Sequence, residues 1–263
     1  MRPSIFFLKV LLAFGLFNPI FSFANDKIDL ETETPIPRSK NLYGIGVGIL
    51  PKTSGSDEYR ALALPIINAN YGDRFYINAL QAGVWLMDSE DKRLRLGLAA
   101  EARFGWDADD GRLTRGMQDR DFSVDFGPMV RWQTDYGTIN AMWGFDVGSA
   151  SNGSNVQLQY IKSLIRGNKL RLNGMLSATW NSAKYNDYYF GVDANEATPT
   201  RPVYNAGAGV QTQVGINGAY ATGDNSNLLF GLMVTRLGNE QADSPIVETR
   251  IQPLMYIGYA WAY

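Results

Sequence analysis

From Leu42 to the C-terminus, apolar and polar positions alternate with a period of two, the mark of β-strands that keep one face apolar. In KRLRLGLAAEARFGW, Leu94, Leu96, Leu98, Ala100, Ala102, Phe104 and Trp106 share one face, while Arg93, Arg95, Glu101 and Arg103 share the other. DFSVDFGPMVRW places Phe122, Val124, Phe126, Pro128, Val130 and Trp132 opposite Ser123, Asp125 and Arg131. GTINAMWGFDVG and KLRLNGMLSATW repeat the pattern, with Trp143, Phe145, Leu172 and Trp180 against Asn140, Asp146, Arg171 and Asn173. Each run reaches about 10 residues, the length of a tilted transmembrane strand. Weaker candidates are Leu42 to Leu50, Tyr59 to Tyr71, Arg74 to Met87, Asn152 to Arg166, Val203 to Ala221, Asn227 to Leu237 and Thr249 to Tyr263, which brings the count to eleven.

The connections between these runs alternate in length. Short turns at Thr134 to Gly137, Arg166 to Asn168 and Thr222 to Asn227 alternate with longer loops at Asp107 to Arg120, Ala183 to Pro202 and Gly238 to Glu248. Short turns on one side and long loops on the other are the signature of an outer-membrane barrel. The predicted fold is therefore all-β, a transmembrane antiparallel up-and-down β-barrel. A single-chain barrel with both ends in the periplasm needs an even number of strands. Twelve is expected, with ten as the alternative, and the missing strand is sought near Tyr71 to Asp73, where the alternation of turns breaks.

The ends of the chain support the same class. Arg2 and Lys9 precede the apolar run VLLAFGLFNPIFSFA, a secretory leader covering residues 1–24, cleaved after Ala24. Residues 25–41 form a periplasmic tail, and residues 42–263 the barrel. In the tail, Asp26, Asp29, Glu31 and Glu33 lie ahead of Pro35 and Pro37, an extended acidic segment that is a candidate contact for a periplasmic partner. At the other end, Gly258, Trp261 and Tyr263 carry a Gly-x-x-aromatic-x-aromatic pattern that resembles the C-terminal signal outer-membrane barrels present to the barrel-assembly machinery.

Composition then excludes much chemistry. The chain has no cysteine and no histidine, which removes Ser-His and Cys-His nucleophilic pairs and imidazole metal sites. No cofactor is expected and the chain is read as a non-enzyme. The 24 Lys and Arg stand against 26 Asp and Glu, and loss of Arg2 and Lys9 with the leader takes the net charge to about −4, no footprint for nucleic acid. DADDG, Asp107 to Gly111, groups three carboxylates on a loop, but the closing position of a calcium loop is Gln118, and the segment reads as a solvated acidic loop.

If the apolar faces meet lipid, Arg93, Arg95, Glu101, Arg103, Asp125, Arg131 and Asp146 point into the lumen, where they either line a narrow solute path or fill it with ion pairs. Tyr185, Tyr188, Tyr189 and Phe190 crowd the longest loop and are candidates for a surface recognition patch, unless they fold into the barrel mouth. Outer-membrane lipid and lipopolysaccharide are the expected surroundings.

Four stretches, YGIGVGILP with GSDEYRALALPI, YNDYYFGVDANEA, YNAGAGV and RLGNEQADSPIV, resemble in order those of the MipA/OmpV family of Gram-negative outer-membrane proteins. PKTSGSD in the first loop and GNEQA before DSPIV depart from the family's pattern. The resemblance implies a non-enzymatic barrel that ties a murein lytic transglycosylase to a murein synthase in peptidoglycan remodelling. Porin-like or surface-binding roles are the alternative it leaves open.

Overall fold

The computed structural model describes residues 41–263, so the leader and Asp26, Asp29, Glu31 and Glu33 lie outside the described residues. Twelve antiparallel strands close into one barrel. They are β1 (Leu42–Pro51), β2 (Tyr59–Tyr71), β3 (Phe75–Asn78), β4 (Gln81–Asp88), β5 (Leu94–Arg103), β6 (Ser123–Thr134), β7 (Gly137–Asp146), β8 (Ser154–Arg166), β9 (Leu170–Asn181), β10 (Gly209–Gly223), β11 (Ser226–Arg236) and β12 (Ile251–Ala262). Each strand pairs with its sequence neighbours, and β12 closes on β1 in a register running from Leu42↔Ala262 to Ile49↔Met255. This closure removes the open edges that the first and last strands would otherwise present to hydrocarbon. The close approach at this seam requires glycine: a Cβ on Gly44 would lie 2.1 Å from the Tyr259 carbonyl oxygen and 2.6 Å from Ala260 Cα.

The twelfth strand comes from the segment read as a single strand, Arg74 to Met87. Ala79 takes a left-handed conformation (φ 50°), and with Leu80 it turns the chain back, dividing the segment into the short hairpin β3–β4. Asn78 pairs with Gln81, so the inward positions change parity across the turn, from Tyr76 and Asn78 to Gln81 and Trp85, a phase shift between two runs too short to stand out in the sequence. The periplasmic side carries the short turns. On the opposite side the loops fold into a cap containing helix α1 (Ala183–Phe190) and the single turn α2 (Asn239–Ala242).

Ile45, Val47, Leu158, Leu176, Val214 and Ile257 make up the outward apolar belt, all strongly exposed. Trp143 and Phe145 at the capped side, and Trp132, Tyr136, Trp261 and Tyr263 at the turn side, mark its two rims. Phe104 and Trp106, expected on this lipid-facing surface, are each only 3% exposed. The chain leaves the wall after β5 and turns inward at Gly105, where even a methyl group would strike the Arg120 carbonyl.

Candidate functional site: a capped mouth over a packed interior

Of the two readings of the aromatic loop, a surface patch or a fold into the barrel mouth, the structure shows the second. Ser182 opens α1, its hydroxyl accepting from the Tyr185 N–H. The helix packs Tyr185, Tyr189 and Phe190 against Ala206 and Leu237, all nearly inaccessible to solvent, with Tyr188 at the margin. Burial raises the pKa of the Tyr185 and Tyr189 phenols and keeps them neutral. These rings form the floor of the cap rather than a recognition surface, because eight residues after a good N-cap can form a helix whose aromatic face finds a ready-made pocket.

A second small core of Trp106, Ala108, Met117, Val192 and Ile246 joins three loops above it. Arg120 sits between the Trp106 and Tyr188 rings, 5.1 and 5.6 Å from their centroids, and its two terminal nitrogens each donate to Glu196 at 3.0 Å. For Glu196 burial favours the neutral acid, but the Arg120 guanidinium and the backbone N–H groups of Gln118 and Asp193 outweigh it and lower the pKa. The Arg201 guanidinium donates to the carbonyls of Glu196, Leu113 and Arg115. Sequence reasoning missed this network, because nothing in the spacing of loop residues signals which carbonyl an arginine will reach. Of the acidic loop, Asp110 pairs with Arg60 at 2.7 Å, and among the described residues no group of three or more carboxylates is placed to hold a metal.

Below the helix, three of the expected lumen charges come together. Register pairs Glu101 with Asp125 and Arg103 with Ser123 across β5 and β6. The Arg103 guanidinium is ion-paired to Asp125, donating from Nε at 2.8 Å, and lies 4.0 Å from Glu101. It also donates to the Tyr185 hydroxyl and stacks 4.7 Å from that ring's centroid. Neutral amides complete the shell: Asn155 donates to Asp125 at 2.6 Å, and Gln157 and Gln81 donate to Glu101 at 2.9 and 3.1 Å. All three charges are within 8% of full side-chain burial.

The other expected lumen charges are distributed differently. Arg95 pairs with Asp88 at 2.8 Å and stacks on Trp85 nearer the periplasmic end, and Arg131 is half-buried beside Arg95 in the sheet register. Arg93 and Asp146 stand at the two rims. Arg93 pairs with Asp135 at 2.8 Å, and Asp146 organises the loop after β7 by accepting from the backbone N–H groups of Gly148, Ser151 and Asn152.

Beneath the charges an apolar cluster spans the lumen, beside buried amides such as Gln159, Asn173 and Asn217, of which Asn173 donates to Asn217 at 3.2 Å. Leu50, Leu64, Phe104, Ile161, Met175, Met233, Leu254 and Tyr256, supplied by strands from opposite sides of the barrel, form one continuous cluster, each member at most 6% exposed. Two separate clusters occupy other parts of the interior: Trp85, Ala99, Met129 and Met142 on one wall, and Ile66, Ala219, Leu229 and Ala260 on the other. Side chains that meet across the lumen fill it at this level as a plug.

At the C-terminus, Trp261 and Tyr263 project outward at the periplasmic rim, and Gly258 packs on the β1 seam with its Cα close to Gly46.

The family model described as MltA-interacting protein MipA matches residues 43–263. The chain is 30% identical over 158 residues to the outer membrane protein Omp26La of Vibrio anguillarum, covering 60% of each chain. It is as similar to OmpV of Vibrio cholerae, so the match spans 60% of the length of both Vibrio proteins. With the MltA-interacting protein of Escherichia coli it shares 23% over 222 residues, covering 84% of this chain and 89% of that one. Among solved structures, outer-membrane OmpT of Vibrio cholerae aligns with a TM-score of 0.39 and 9% identity over 89% of this chain and 99% of that one. The fold and these relatives place the chain in the outer membrane of a Gram-negative bacterium.

Proposed function

The chain belongs to the MipA family, and from that premise we propose that it is a non-enzymatic anchor in the outer membrane that binds a murein lytic transglycosylase and links it to a murein synthase. The observation that carries this reading is the plug: eight apolar side chains meeting across the lumen suit a barrel that acts as a fixed body rather than a conduit. A relative named for its interaction with MltA supports the hydrolase as one partner. In this reading the lipid belt fixes the barrel, and the periplasmic turns and the acidic tail, with Asp26, Asp29, Glu31 and Glu33, face the murein enzymes. The turns present Asp73, Lys92, Arg93 and Asp135 as exposed ion pairs, and Tyr136 as an aromatic side chain 79% exposed. The rival role as a narrow channel needs a water path through the plug.

Affinity capture of the mature protein from gently solubilised envelopes, read by partner-blind mass spectrometry against an unrelated barrel, tests the proposal. Enrichment of a lytic transglycosylase and a synthase is the expected result. Recovery of murein enzymes no higher than with the control barrel would overturn it.

A further inference from the structure

The barrel wall has a window. Hairpin β3–β4 reaches only as far as Asn68 on β2 and Glu101 on β5, with Ala79 and Leu80 bonding to Ile67 and Ala102 at its tip. Above that turn, toward the cap, no strand among the described residues pairs with β2 from Tyr59 to Ile66 on this side. The Arg60–Asp110 ion pair, 2.7 Å, lies above the gap.

The main-chain groups facing this gap follow from the ladder. In antiparallel sheets alternate residues direct both N–H and C=O to the same side. The Ile67 carbonyl accepts from Ala79 on the β3 side, whereas the Asn70 N–H bonds Asn41 on the β1 side. Odd-numbered positions of β2 therefore turn toward the window: the N–H and C=O of Ala61 and Ala63, and the carbonyl of Pro65. Proline, which has no N–H to give a ladder, stands in this unpaired stretch. The lipid-facing side chains that flank the window are also unusually small, Ala61, Ala63 and Pro65 on β2 and Ala100 on β5, where other strands carry Leu, Ile, Val or Trp.

Behind the gap the walls are apolar. Leu62, Leu80 and Ala102 pack on the interior plug, and Phe104, a member of that plug, also lies 5.5 Å ring to ring from the lipid-facing Phe122. The window thus presents unpaired peptide groups of β2 in front of a closely packed apolar background. Plain hydrocarbon covers such a gap but leaves the peptide groups without partners, which is costly at this depth.

We propose that the window between β2 and β5 is a lipid-binding site for one acyl chain of outer-leaflet lipopolysaccharide, whose amide and hydroxyl groups bond to the exposed edge of β2 while its hydrocarbon lies over the lipid-facing Ala61, Ala63 and Ala100. The position fits the source, since the hairpin fills the periplasmic end of the wall and leaves the outer-leaflet side open. This site goes beyond the scaffold role and does not depend on it.

The absence of cysteine makes the test clean. Single variants A63C and A100C, with V214C on the fully paired strand β10 as control, carry a thiol-linked benzophenone. They are photolysed in phosphatidylethanolamine vesicles containing purified lipopolysaccharide, and adducts are identified by mass spectrometry. Expected is about tenfold more lipopolysaccharide adduct at positions 63 and 100 than at 214, the ratio that one or two net hydrogen bonds supply. Equal yields at all three positions would mean ordinary annular lipid and would overturn the proposal, as would phospholipid adducts dominating at 63. A polypeptide cross-linked at 63 in native outer-membrane vesicles would assign the edge to a partner strand instead. Heat-modifiable mobility on gels confirms that each variant is folded, and positions 63 and 100 serve as independent reports.

Discussion

Replacing Arg103 by methionine removes the cation from a site that holds two carboxylates in the buried interior. Asp125 and Glu101 have side chains only 2% exposed, and Arg103 is 8% exposed. Removing one partner of such a group costs about 3–5 kcal/mol, because the remaining charge stays buried without compensation. A stranded carboxylate can shed its charge by taking a proton, which at pH 7 costs about 4 kcal/mol for a group that ionises near 4, so the penalty is bounded at about that value. It should shrink by about 1.4 kcal/mol for each unit the pH is lowered toward 5. Loss of the cation stacked on Tyr185, at 4.7 Å, adds about 1 kcal/mol that does not depend on pH. The assay is reversible urea unfolding of the refolded barrel in lipid vesicles, followed by tryptophan fluorescence at pH 7 and pH 5. Replacing Asp125 by asparagine in the same chain should recover most of the deficit, since Glu101 keeps amide donors from Gln81 and Gln157. A loss below about 1 kcal/mol, or a deficit unchanged by the second substitution, would refute the view that this triad is a buried electrostatic unit.

Other outcomes follow from the same structure. Glu196→Gln should loosen the cap without unfolding the barrel, and limited proteolysis should cut the loop around residues 182–208 faster while the strands stay protected. The lowered pKa of Glu196 gives the sign of the pH effect: its contribution is complete above the unfolded value near 4.5 and is lost as pH falls through the lower folded value, so the wild-type cap should open only in strong acid. Gly44→Val should block closure of the β1–β12 seam, leaving protein that runs as unfolded even without heating on a gel. Substituting alanine for both Trp261 and Tyr263 should reduce the assembled fraction in cells more than the stability of refolded protein, separating recognition by the assembly machinery from packing.

The barrel was legible because membrane strands leave a strict record: each lipid-facing residue must be apolar, so period-two alternation survives in β5, β6, β7 and β9. Inward charges such as Glu101, Arg103 and Asp125 could be placed by parity alone, though not their partners, which depend on the register of separate strands. The plug was hidden for the converse reason. Leu50, Leu64, Ile161 and Met175 are apolar residues on the inner face, and a sequence gives no sign whether an apolar side chain meets lipid or another side chain across a lumen. Phe104 and Trp106 kept the parity of β5 but not its direction, since Gly105 turns the chain inward. Helix α1 was read as loop because its one local signal, the Ser182 cap, is common in turns, and its stability comes from the aromatic pocket it fills.

A barrel whose plug makes it a binding body rather than a channel carries no current, which recordings across a planar bilayer read without any knowledge of its partners. Purified, refolded protein should insert without producing steps above the bare-bilayer baseline at physiological salt. Replacing both Met175 and Met233 by alanine should still leave the lumen closed or produce only brief openings. Stable, reproducible conductance steps from the wild-type protein would show a continuous water path through the lumen and contradict the account.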